Sequence, residues 1–198
     1  VGKNSVAVGY QNKTNNQDGT IAIGMANTAT ENSAMALGNG NTASGGAATA
    51  VGAYNQATGR ASVAIGNVSI ASAEDSIAIG NRANADAKNH DADRGSGQFS
   101  IAVGRESWAK GTDNISIGHK AETNSSGDSI AMGRESKANQ ANAVAIGPQA
   151  DANGWGGIAM GREAAVSANF GTAIGYQSKA QGSSSVAIGK NNTTTGGA

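Results

Sequence analysis

Few residues in this chain could do chemistry. Of 198 residues only two are histidines, His90 and His119, and cysteine is absent, which excludes disulfides, thiol nucleophiles and Cys-based metal sites. The densest group of potential ligands is Asp86, His90, Asp91 and Asp93. Carboxylates beside an imidazole can hold a divalent cation, but the spacing does not fit an EF-hand loop and no second histidine is near. The stretch therefore predicts a solvated polar loop with no metal and no cofactor. Neither histidine has a Ser or Cys partner in a nucleophile motif, and no phosphate-cradling glycine pattern follows a strand and opens a helix. The chain reads as a binding or structural protein, not an enzyme.

The remaining polar chemistry belongs to rows. Arg105-Glu106, His119-Lys120, Arg134-Glu135 and Arg162-Glu163, then Tyr176-Gln177 and Lys190-Asn191, recur at one position of a repeat. Glu106, Lys120 and Glu135 alternate in sign, which predicts an ion-pair network that fixes register or chain-to-chain contacts. Trp108, Trp155 and Phe170 fall where side chains should face outward or lie in corners. Exposed aromatics suit binding anchors, and equally a local cap over neighbouring small residues.

The elements that must position these groups come from a repeat that runs the length of the chain. Its unit is small-polar, aliphatic, Ala, aliphatic, Gly, as in Ser62-Val63-Ala64-Ile65-Gly66 and Ser185-Val186-Ala187-Ile188-Gly189. Thirteen copies are marked by Gly9, Gly24, Gly38, Gly52, Gly66, Gly80, Gly104, Gly118, Gly133, Gly147, Gly161, Gly175 and Gly189. Nine of the twelve intervals are 14 residues, two are 15 and one is 24, so a single repeat organises the whole chain. The residue between the aliphatics is Ala in every copy but one, Ser116. Five residues after each Gly stands a second small position, usually Ala; three after it is always Asn, Ser or Ala.

Apolar residues two apart share one face of a strand. Fourteen residues then make two strands of roughly five and two tight corners, one coil of a flattened parallel solenoid, with coils about 4.8 Å apart. The marker Gly is placed at the first corner, where φ > 0 costs least. Pro148 follows a marker Gly and so also falls at a corner. Helices are not expected, because no apolar pattern of period 3.6 appears.

With 4% aromatic residues and 30 glycines, one such coil buries too little to offset the entropy of ordering it. The reading puts the bulky aliphatics inside and a flat alanine strip outside, against which further copies pack. That strip is Ala7, Ala22, Ala36, Ala64, Ala78, Ala102, Ala131, Ala145, Ala159, Ala173 and Ala187. A homo-oligomer follows, with these residues as its interface.

From Val6 to about Thr194 this repeat resembles the head domain of trimeric autotransporter adhesins, the YadA-like left-handed parallel β-roll. The resemblance implies an all-β homotrimer on the bacterial cell surface, tied to the outer membrane through a C-terminal stalk and anchor that this fragment is expected to lack. It also implies adhesion to host matrix proteins or receptors, such as collagen, fibronectin, laminin or an epithelial receptor, and autoagglutination between cells. A passive spacer holding another tip away from the cell is the alternative. The enzymatic alternative, a left-handed β-helix acyltransferase, resembles a triangular coil of 18 residues, whereas 14 residues allow only two strands.

The whole of 1–198 is read as one domain with an insertion at about 86–98. Insertions leave solenoids as loops, and such loops often bind. Lys88, His90, Asp91, Asp93, Arg94, Phe99 and Trp108 are thus the candidate ligand contacts. Lys plus Arg and Asp plus Glu both number 14, so charge favours neither nucleic acid nor an anionic membrane as partner. The apolar runs of three or four residues are too short to span a bilayer.

Overall fold

The computed structural model describes residues 3–15, 17–86 and 99–196. Two parallel sheets of thirteen strands each lie in it, every strand pairing with its equivalent one coil away. One sheet, here sheet A, holds the aliphatic-Ala-aliphatic segments, from Val6–Tyr10 through Ile77–Asn81 to Val186–Ile188. Sheet B holds mostly two-residue strands such as Thr28–Ala29 and Lys179–Ala180. The register is one-to-one: Ala22 pairs with Ala36 and Gly24 with Gly38. The 24-residue interval leaves this ladder intact, since Ile77 pairs directly with Ile101. The parallel, two-strand coil expected from the repeat is what forms.

The interior is the reverse of the expectation. Ala22, Ala36, Ala64, Ala78, Ala102, Ala131, Ala145, Ala159, Ala173 and Ala187 are all fully buried inside the chain itself, against small residues of sheet B such as Ala29, Ala43 and Ala138. Only Ala7, on the first coil, is exposed. The alanine strip therefore cannot be an interface between copies. The physical reason is width: a coil closed by two tight corners brings its sheets so close that only Ala, Ser or Thr fits between them, with Val166 the largest side chain buried there. The aliphatics on either side of each Ala consequently point outward.

The corners also differ from the simple reading. Each described coil has two left-handed residues, and most are not glycine: Gln11, Tyr54, Lys120 and Gln177 at one corner, Ser33, Ala61, Asp113 and Phe170 at the other, all near φ +55. The marker Gly instead sits beside the first corner at φ between +114 and +147. It is required by closeness, because a Cβ on Gly24 would overlap the carbonyl oxygen of Gly38 in the next coil. That conformation is open to almost no other residue.

The residue three after the marker takes part in closing the first corner. Where it is Asn inside the stack, at Asn27, Asn41 and Asn55, the side chain lies buried and bridges coils: the Asn41 amide donates to Leu37 O at 2.9 Å and Gly52 O at 2.8 Å. Its Oδ1 accepts from the backbone N–H of Asn55 at 3.0 Å. Sheet A strands are five residues long in this half. From Gly118 to Gly175, where it is Ala or Ser, the carbonyl of the marker Gly is approached by the backbone N–H three residues on, as in Ala150 N to Gly147 O at 3.2 Å, and the strands are three residues long, whereas the strands before Ser69 and Ala83 keep five.

Candidate functional site

Two surfaces stand out, one apolar and one polar. The apolar one is the outer face of sheet A. Residues at the first and third positions of every strand project from it, giving two parallel aliphatic rows: Val63 and Ile65, Ile77 and Ile79, Ile115 and Ile117, Val144 and Ile146. None of these is buried, and Val8 and Ile188 are 55% and 61% exposed. Two such rows running along thirteen strands make a stripe far larger than the scattered apolar residues normal for a soluble surface.

The polar surface is a trough along the first corner and the edge of sheet B, about 580 Å³, lined by Glu106, Trp108, Lys120, Glu122, Glu135, Lys137, Gln149 and Asp151. Its two walls are the rows two and four residues after the marker glycines. Within a wall, side chains of successive coils pair: Lys120 with Glu106 at 3.9 Å, and Gln149 Nε2 donating to Glu135 Oε2 at 2.9 Å. Further along, Gln177 Nε2 donates to Glu163 Oε2 at 2.6 Å. That amide, together with the guanidinium of Arg162, holds the Glu163 carboxyl below its ordinary range, against the opposing effect of desolvation. The charged rows thus staple neighbouring coils, and each Arg of the adjoining row leans on the Glu that follows it, as Arg134 does on Glu135 at 3.5 Å. In the first half Arg60 and Glu74 form a similar bridge between coils.

Of the residues singled out in the sequence, Trp108 points outward from sheet B, 40% exposed, with Lys110 Nζ 3.5 Å from its ring centre. One face of that anchor is already taken by an intramolecular cation. Phe99 is exposed at a left-handed corner, far around the coil from the trough wall. Trp155 and Phe170 are exposed corner residues that pack edge-to-face at 4.7 Å. Lys88, His90, Asp91, Asp93 and Arg94 lie outside the described residues. Among the described residues no group of three His, Asp or Glu is placed to hold a metal. The imidazole Nε2 of His119 is buried without a hydrogen-bond partner in the single chain.

The sequence reading missed the aliphatic stripe because it assigned both rows to the interior. The signal that could have found it is the second small position: a coil with Ala on both inner strands has no room for Ile as well.

The solenoid and its repeats point to a structural adhesin element rather than to a catalyst. No match was found among curated proteins. A family model, YadA head domain repeat, matches residues 1–27, 29–55, 57–83, 96–121, 125–150, 152–178, 170–192 and 180–196. This family is an element of surface-exposed autotransporter adhesins, which places the chain's kind at the cell surface. Those matches run through nearly the whole sequence, and the chain belongs to the YadA head family.

Proposed function

We propose that this chain is one subunit of a homotrimeric adhesin head displayed at the bacterial outer membrane. Three copies pack with the aliphatic faces of their A sheets turned toward a common axis, and the polar B sheets and corners face the host. The observation that carries this reading is the aliphatic stripe. Covering it supplies the hydrophobic stabilisation that a core of alanines lacks, at about 25 cal/mol for each Å² removed from water. A closed cyclic arrangement is the one that leaves no copy of the stripe exposed.

Adhesion itself would be multivalent. A rod of roughly 60 Å presents the same polar motif coil after coil on three sides, so weak contacts to a fibrous host protein such as collagen, fibronectin or laminin, or to an epithelial receptor, add through effective concentration. Autoagglutination would use the same surfaces between cells. One observation favours a spacer instead: the trough side chains are already paired with one another between coils.

Sedimentation tests the assembly. The fragment is expected at three times 19.4 kDa, and a stable folded species at 19.4 kDa would overturn the trimer. Binding of that trimer to immobilised matrix proteins and receptors tests adhesion; silence against all of them would leave the spacer.

A further inference from the structure

On two consecutive coils, those of Ile115–Ile117 and Ile130–Met132, the aliphatic face of sheet A has a basic side chain at one edge and a carboxylate at the other. One edge is the residue after each marker glycine, where Arg105, His119 and Arg134 stand on consecutive coils. The other is the left-handed corner that precedes each strand, where Asp113 and Asp128 stand on the second and third of these same coils. Asp113 and Asp128 are exposed, and neither takes part in an ion pair among the described residues. Corner geometry does not demand a carboxylate, since Ser33, Ala47 and Phe170 hold the same conformation near φ +56. Arg105 and Arg134 each touch only the Glu next in sequence and keep most of their donors in solvent.

We infer that these edges form a charge lock between copies of the chain, Arg134 of one copy meeting Asp128 of the next and His119 meeting Asp113. The inference rests on the trimeric reading above and adds the side-chain pairs that fix its polarity. Asp128 and Arg134 flank one strand, Ile130–Met132, and Asp113 and His119 flank its neighbour, Ile115–Ile117. In any cyclic assembly of parallel copies at equal height, equivalent strands are level and the right edge of each face meets the left edge of the next. Arg134 then faces Asp128, and His119 faces Asp113. An antiparallel pairing brings like edges together and sets Arg against Arg, a repulsion that selects against it. A slip by one coil leaves His119 and Asp128 unpaired in one direction and in the other sets Arg105 against Asp113 and His119 against Asp128, so the pairs select the polarity of the assembly while its cyclic closure keeps the copies at equal height.

The absence of cysteine makes the test clean. The fragment is prepared as Asp128→Cys, as Arg134→Cys and as the double variant, oxidised, and run on denaturing gels beside sedimentation of the parent. A ladder reaching the covalent trimer is expected only from the double variant. A trimeric parent whose double variant does not cross-link, or whose Asp128→Cys form links to itself, overturns the lock while leaving the trimer standing. A monomeric parent overturns both. As a second readout, Asp128→Lys is expected to lower the melting temperature of the trimer, and Arg134→Glu added to it to recover most of the loss. Additive losses would sink the pairing.

Discussion

Ser116 Oγ lies 3.0 Å from Thr123 Oγ1 across the interior of one coil, in the two positions where the neighbouring coil has Ala102 and Ala109. The hydroxyl of Ser116 also accepts from the backbone N–H of Thr123 at 3.0 Å and donates to Trp108 O at 2.8 Å. Two departures from the repeat, seven residues apart in sequence, are thus one polar bridge between the sheets. A buried polar group is tolerated where its partners are present, and each hydroxyl here is the other's partner. Ser116→Ala strands Thr123 and is expected to cost about 1–3 kcal/mol. The double variant Ser116→Ala/Thr123→Ala recreates the ordinary coil and should cost less than the two single losses added. Urea unfolding of all four proteins gives the coupling.

A second compensation is steric. Val166 replaces the usual Ala of sheet B, and a Cβ on Gly171 would come within 2.8 Å of its Cγ1. Gly157, one coil earlier, would meet the same methyl at 2.9 Å. Gly171→Ala should therefore destabilise by about 1–3 kcal/mol through overpacking. Val166→Ala in the same chain should restore most of it, as read from thermal melts.

The asparagine ladder predicts a position-dependent effect. Asn41 is fully buried and bonded to coils on both sides, whereas Asn12 stands near the open first coil, with bonds to Val8 O and Gly24 O. Asn41→Ala removes the acceptor of the Asn55 amide and leaves Gly52 O without its donor. A loss of about 1–3 kcal/mol is expected, with faster hydrogen exchange at Asn55. Asn12→Ala should cost less and leave Asn55 protected.

Glu163 gives a pH dependence with a defined sign. Its carboxyl is held below the ordinary value by the Gln177 amide first and by Arg162 in addition. The native state therefore favours the charged form. That stabilisation is complete above the unfolded value of about 4.3 and is lost as pH falls through the lower folded value. Glu163→Gln should flatten this part of the stability profile, lowering stability near neutrality and converging with the parent at the acid end. Denaturant midpoints measured across the acid range check it.

The period, the two strands per coil and the parallel pairing were legible because one spacing repeats thirteen times and tolerates no other geometry. The direction of the strands' faces was not. Alternation says that Ile77 and Ile79 share a side and Ala78 takes the other, but which side is inside depends on the distance between sheets. That distance is set by corners whose left-handed residues, such as Lys120 and Glu135, are not the glycines a turn search looks for. Trp108 could be placed outward from its row alone, yet the cation over its ring comes from Lys110 two residues on, a contact that spacing does not single out. Ser116 and Thr123 were each visible as exceptions; only the closed coil reveals them as a pair.

Ile77 pairs with Ile101 as closely as its other neighbours do, although ten extra residues separate them from the usual interval. A cross-section that absorbs such an interruption is indifferent to how many turns lie above or below it. Tandem duplication or deletion in the gene can then change the reach of the appendage in steps of about 4.8 Å while every retained turn keeps its shape. For the adhesin head proposed above, height above the cell would then vary in whole increments, separately from what the surface recognises.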